Sequence, residues 1–267
     1  MQHPRTSATI LSTMSAPTKR TLFWLLGAIG ATALLSGCSF NSNDISGLGY
    51  PKNVTSVNDT SLSLWQGAWI AAGVVGVITL ILILWPAIFH RKNDATKGEF
   101  PKQTQYNIPI EIIYTVIPFV IVAVLFYFTA TKESKIVDLK TPAQHEISVE
   151  GIQWSWQFAY PEAGKDAVVT GTPENPPTLY MPQGESVRFT ITSNDVVHGF
   201  WIPAFMIQMQ NLPDRTNHIQ FTANKLGTYP GRCNILCGRN HAQMIFKVKV
   251  VTPEQYQKYL ETLKAGA

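Results

Sequence analysis

The chain has 267 residues and a formal charge of +4, and only 14% of its residues are charged. Soluble domains average about 25% charged residues, so the apolar residues here must be gathered into long runs beside a soluble domain. So small a charge is no nucleic-acid signal, and three cysteines, with Cys38 far from the pair Cys233 and Cys237, argue against a disulfide framework. From Lys132 to the end there are 13 basic and 12 acidic residues, against 8 and 5 before it, so the positive excess surrounds the apolar runs.

The N-terminal stretch reads as a targeting segment. Lys19 and Arg20 precede the apolar run Thr21 to Leu35, and Leu35-Ser36-Gly37-Cys38 follows. The run is short for a bilayer span and gives way to polar residues, as a signal peptide does. The four residues ending at Cys38 resemble a bacterial lipobox. The resemblance implies that residues 1–37 are removed and that Cys38 is lipidated; an uncleaved anchor helix with an incidental cysteine is the alternative. Residues 38–63, rich in Ser, Asn, Asp and Gly, are expected to form an outer-face linker.

Two spans should follow, making residues 64–131 a transmembrane hairpin. Thr60 to Phe89 carries no charge and is long enough to cross a bilayer core, with Trp65, Trp69 and Trp85 placed as interfacial anchors. Ile112 to Phe128 is the second span, with a kink expected at Pro118. His90, Arg91, Lys92, Lys97 and Lys102 lie between the spans, so the loop at about 90–107 is cytoplasmic and everything after the second span is outside, with Cys38. Glu111 opens the second span. On physical grounds alone it reads as an interfacial carboxylate favoured by a helix N-terminus.

Residues 132–252 change to strand-like periodicity. One alternating strand is expected over Glu146 to Phe158, then a turn-rich stretch from Pro161 to Pro177. Further strands are expected at Thr178 to Met181, Ser186 to Thr192, Asn217 to Phe221 and Met244 to Val251. Short strands punctuated by Gly and Pro predict an all-β sandwich or barrel. Thr252-Pro253-Glu254-Gln255 is a capping box with proline at the first helical position, opening a C-terminal helix within 253–267.

Between residues 233 and 244 the chain places Cys233, Cys237, His241 and Met244. Thiolate, imidazole and thioether together suit copper, and two thiolates can bridge two metal ions. A ligand from the scaffold should complete the set. His145, His198 and His218 are the choices, and His198, just before Gly199-Phe-Trp-Ile-Pro203, is the best placed. A Cys233–Cys237 disulfide, a structural zinc site or a purely packed Met244 remain alternatives at this level.

These motifs are similar to those of subunit 2 of the haem-copper cytochrome c oxidases. The resemblance runs from about Trp65 to Val251, through Tyr106 to Pro118, Gly151-Ile-Gln-Trp-Ser-Trp156, Asp195-Val-Val-His-Gly-Phe-Trp-Ile-Pro203, Arg215-Thr-Asn-His218, Gly227-Thr-Tyr-Pro-Gly-Arg-Cys233 and the loop that ends at Met244. The 99–103 run and the lipobox resemble the actinobacterial branch. The resemblance implies a two-helix membrane anchor carrying a cupredoxin-like domain with the binuclear copper centre CuA. Its ligands would be His198, Cys233, the backbone carbonyl of Ile235, Cys237, His241 and Met244. Trp154 would be where electrons come in, while Trp156 reads as core packing. Glu111 would start a proton path. The implied partners are subunit 1 with its haems and CuB, subunit 3, membrane lipid, and a c-type cytochrome or the c-haem domain of a bc-type complex. The implied activity is oxidation of cytochrome c coupled to oxygen reduction and proton translocation at the cell membrane, this chain contributing electron transfer alone.

Two residues depart from the family. Ile235 and Gln210 stand where it usually has Glu and Asp, carboxylates that help hold a magnesium or manganese ion between subunits 1 and 2. That second site is therefore expected to be weak or absent. A quinol oxidase subunit would lack the two cysteines, and a lipid-anchored copper carrier would need neither the hairpin nor the aromatic run.

Overall fold

The computed structural model describes residues 47–91, 98, 100, 103–139 and 141–266. The signal segment, Cys38, and the loop residues Lys92, Lys97 and Lys102 lie outside the described residues.

Helix α1 spans Asn58–Phe89 and α2 spans Ile108–Ile136, with Pro86 and Pro118 inside them. Both are long and apolar enough to cross a membrane. Their apolar side chains face outward; Leu82 is 68% and Phe119 75% exposed. Surface of that kind needs hydrocarbon or other helices against it. Each helix is longer than its apolar run, because polar residues at the ends still satisfy the backbone ladder. At the start of α2 the Asn107 side chain accepts from the N–H of Ile110, and Glu111 Oε1 accepts from the N–H of Asn107 at 3.1 Å. Glu111 thus closes a reciprocal cap on the helix.

Among the described residues, the segment after α2 holds ten strands. They are β1 (His145–Ile152), β2 (Ser155–Ala159), β3 (Val168–Thr170), β4 (Thr178–Pro182), β5 (Ser186–Ser193), β6 (His198–Ile202), β7 (Ile207–Asn211), β8 (Asn217–Thr222), β9 (Gly227–Cys233) and β10 (Ile245–Val251). One sheet runs β3-β2-β1-β5-β8 and the other β4-β10-β9-β6-β7, so the fold is a two-sheet β-sandwich behind a pair of apolar helices. Pairing is antiparallel except for β1 with β5 and β10 with β4. The core between the sheets is aromatic. Trp156, Phe158, Phe189, Phe200 and Phe246 are fully buried, and Phe200 stacks on Phe246 with ring centroids 5.1 Å apart. Helix α3, Pro253–Gly266, closes one edge through Tyr256 and Leu260, and Tyr259 stacks on Tyr180 at 4.0 Å. Its predicted capping box is present, Thr252 and Gln255 each bonding the other's backbone N–H.

The chain is pinned to the sandwich both before α1 and after α2. Before α1, Ser56 N–H donates to Thr222 O at 2.9 Å and Asn224 N–H to Val54 O at 2.8 Å, while Val54 and Asn58 are buried. After α2, Arg188 and Gln220 donate to the carbonyl of Thr141 at 3.2 Å each. The second half of the expected linker is therefore docked chain followed by helix, because its polar residues find backbone partners at the end of β8.

Several expectations need correction. The Glu146 to Phe158 run is two strands with a turn at Gln153–Trp154. The apolar alternation changes phase there, from Ile147 and Val149 to Ile152, Trp154, Trp156 and Phe158, and that change marks the turn. Trp154 thus sits in a turn rather than on a strand. The stretch from Pro161 to Pro177 contains β3 and a short 3-10 turn, Pro161–Ala163. Strands β6, β7 and β9 carry Gly, Pro and Gln and were hidden by composition.

Candidate metal centre

The 233–244 loop joins β9 to β10, neighbours in one sheet, so its two ends are fixed a strand apart. Cys233 ends β9, and its N–H donates to Met244 O at 2.9 Å, closing the loop's base. Strand β6 lies on the other side of β9 and delivers His198. Close approach of the two requires Gly199, where a Cβ would lie 1.9 Å from Asn234 Oδ1.

Cys233 and Cys237 are buried free thiols with their sulfurs 3.8 Å apart, far beyond disulfide length. Around them the donors fall into two sets. Cys233 Sγ has the Ile235 carbonyl at 3.2 Å and His198 Nδ1 at 4.0 Å. Cys237 Sγ has His241 Nδ1 at 3.5 Å and Met244 Sδ at 3.6 Å. Each sulfur therefore has one imidazole and one weak donor of its own. Donor atoms of His198, Cys233 and Cys237 all lie within 4.8 Å of one another. His198 and Met244 are wholly buried, so their donor atoms have no access to bulk water.

The surroundings fix the ligand states. His198 Nε2 donates to Asp195 Oδ1 at 2.8 Å, since a carboxylate can only accept, and its Nδ1 faces Cys233. Asp195 accepts in addition from the N–H groups of Gln153, at 2.7 Å, and Val196, at 2.6 Å. Burial raises the Cys233 thiol, but the hydrogen bond from His198 and the N–H of Gly199 outweigh it and bring the group down to about 6. Burial and the adjacent Cys233 charge push the Cys237 thiol up to about 12. Both sulfurs would bind a metal as thiolates, so metal uptake releases whatever protons the pair holds.

Soft sulfur with imidazole fits copper, and a fully buried thioether aimed at a thiolate has no use in a structural zinc site. The structure separates the three upstream histidines. His145 sits between Glu162 and Glu185, with its Nε2 2.8 Å from Glu185, and His218 meets Thr190 at 3.3 Å, so neither joins the cluster. The half-buried Trp154 donates from Nε1 to Cys237 O at 3.2 Å. Trp156 is buried and donates to Met244 O at 3.4 Å, a packing role. Sequence reasoning missed Asp195 and Gln153. The Asp195-x-x-His198 spacing was a usable signal for the first, and nothing marked the second.

The family described as the periplasmic domain of cytochrome c oxidase subunit II matches residues 173–251. A probable cytochrome c oxidase subunit 2 of Streptomyces avermitilis is 42% identical, over 92% of this chain and 88% of its own length. Its counterpart in Streptomyces coelicolor is 41% identical, with the same coverage. Among solved structures, the periplasmic domain of subunit II of cytochrome oxidase from Bradyrhizobium japonicum is 30% identical. It covers 47% of this chain and 97% of its own, with a TM-score of 0.44.

Proposed function

The chain belongs to the cytochrome c oxidase subunit 2 family, and from that premise we propose that it is the electron-receiving subunit of a terminal oxidase that reduces oxygen to water. The complex is an oxidoreductase; this chain transfers electrons and does no oxygen chemistry. The carrying observation is the sulfur pair with one imidazole and one weak donor at each end.

His198, Cys233, Ile235 through its carbonyl, Cys237, His241 and Met244 are the residues to hold two copper ions as CuA. Bound there, copper supplies reversible one-electron oxidation and reduction. The protein's part is to keep the donors still. Cys233 is locked by β9, His198 by β6 and Asp195, and Met244 by the start of β10. Small rearrangement between oxidation states is what fast transfer needs.

Electrons come from a c-type cytochrome or the c-haem domain of a bc-type complex. They leave for the haem and CuB centres of subunit 1, with subunit 3 in the same proton-pumping assembly. On this reading the two helices cross the cell membrane with the sandwich outside, and Cys38 is the proposed lipid attachment point. Glu111 caps α2 and is proposed to start a proton path as well; its carboxylate stands at a membrane edge, where ionisable groups serve such paths.

Gln208, Gln210, Asn234 and Ile235 line a cavity of about 470 Å³ with Glu133. A neutral side-chain amide holds a hard dication less firmly than a carboxylate, and an isoleucine side chain offers it no oxygen at all. The second, non-redox site between subunits 1 and 2 is accordingly weak or absent. Metal analysis of the purified complex should find no magnesium or manganese bound there in stoichiometric amount; finding it would overturn this reading.

Trp154 offers a partly exposed ring bonded to the Cys237 carbonyl. Trp154→Phe keeps an aromatic ring, though a smaller one, and loses the N–H. Stopped-flow reduction of the complex by a reduced c-type cytochrome should slow about tenfold or more, with the copper absorption unchanged. Reduction at the native rate would remove Trp154 from the route.

A further inference from the structure

The carbonyl of Cys237 accepts two side-chain donors, and the stronger is not the tryptophan. Gln153 Nε2 lies 2.8 Å away and Trp154 Nε1 3.2 Å. Through its backbone N–H, Gln153 also holds Asp195 Oδ2 at 2.7 Å, and Asp195 Oδ1 holds His198 Nε2 at 2.8 Å. One residue of the β1–β2 turn therefore reaches both sides of the cluster. Its side chain grips the loop that carries Cys237, and its backbone fastens the carboxylate that orients His198.

The joint is closely fitted. Gly238 follows Cys237 at φ +121°, and a Cβ there would come within 3.1 Å of Trp154 Nε1 and 3.2 Å of Gln153 Nε2. A glycine at this place lets the turn lie directly on the Cys237–Gly238 peptide. The Gln153 side chain is exposed. Its bond adds little to overall stability, because water can replace the donor. What water cannot replace is alignment. Without the amide, the peptide is free to tilt away from the turn, and Trp154 is left as its sole side-chain tether.

We infer that Gln153 is a positioning residue for electron acceptance: its side-chain amide clamps the Cys237 peptide to the turn that presents Trp154, holding tryptophan, thiolate and His198 in one register. The inference rests on the role proposed for Trp154 and adds a residue that does not itself touch the copper.

The test uses the assembled complex with Gln153→Leu, which keeps bulk and loses the donor, and Gln153→Glu, which sets a carboxylate against the carbonyl. Reduction by a reduced c-type cytochrome should slow about tenfold in Gln153→Leu, at unchanged copper content, and more in Gln153→Glu. In the Gln153→Leu, Trp154→Phe double variant the two effects should fail to multiply, because both donors serve one acceptor. Alkylation of Cys237 in the copper-stripped complex, followed by peptide mass, should speed up several-fold in Gln153→Leu. A structural role elsewhere would leave that rate alone. If Trp154→Phe slows reduction and Gln153→Leu does not, the clamp is wrong while the Trp154 route stands. If Trp154→Phe has no effect, the route itself fails. A native alkylation rate, or cleanly multiplying effects, would also overturn the clamp.

Discussion

Cys233→Ser should empty the copper site and cut cytochrome c oxidation by the assembled complex at least about 100-fold, since outer-sphere partners alone are worth 10–100-fold. A serine hydroxyl is a hard donor that stays protonated at neutral pH, so it can neither bridge two copper ions nor share charge between them. The loss spreads beyond one bond. Cys233 Sγ is the atom that His198 Nδ1, the Ile235 carbonyl and Cys237 Sγ all face. The fold should survive, because serine is nearly isosteric and the β9 pairings use backbone groups. The measurements are copper content, the visible spectrum of the purified complex, and oxygen uptake with a reduced c-type cytochrome. A serine variant that keeps both copper ions and full turnover would sink the assignment of the sulfur pair.

Trp156→Ala should be the largest stability loss among the aromatic residues near the site, about 3–5 kcal/mol. The indole is wholly buried and meets Phe200 and Phe246 edge-on, with centroids at 5.8 and 5.1 Å. Truncation leaves a cavity between the sheets and strips Met244 O of its indole donor at 3.4 Å. Urea unfolding of the chain in detergent, followed by near-ultraviolet circular dichroism, gives the number. Trp154→Phe in the same assay should cost little, since that ring is half exposed and its acceptor keeps Gln153. Equal losses for the two would show that Trp154, too, is chiefly a core residue.

The two tryptophans show what the sequence could and could not tell. The family resemblance singled out Trp154, Trp156 read as core packing, and the loop ligands stood out because Cys, His and Met rarely crowd into so short a span. Helix α3 was legible to its capping residues, since local chemistry decides a helix start. The apolar spans were legible for the same local reason. The break between β1 and β2 shows only as a change of phase in the alternation between Val149 and Ile152, which a single-strand reading passes over. Strands β6, β7 and β9 escaped because partners distant in sequence, not their own composition, make them strands. Gln153 escaped more completely. Its importance lies in a backbone N–H and a side-chain amide reaching two different loops, and no spacing rule encodes that.

The pinning of the chain at both its approach to α1 and its departure from α2 has a mechanical consequence. Both fastenings grip the β8 side of the sandwich, one through Thr222 and Asn224 and the other through Gln220 and Arg188. A globule hung on one flexible tether can sweep an arc; one held by two pins cannot turn about either. On the reading proposed here, the copper loop is then a stationary terminal, kept at a set height above the lipid. The travelling part of the relay has to be the donor, which must bring its haem to Trp154 rather than wait for this chain to swing across.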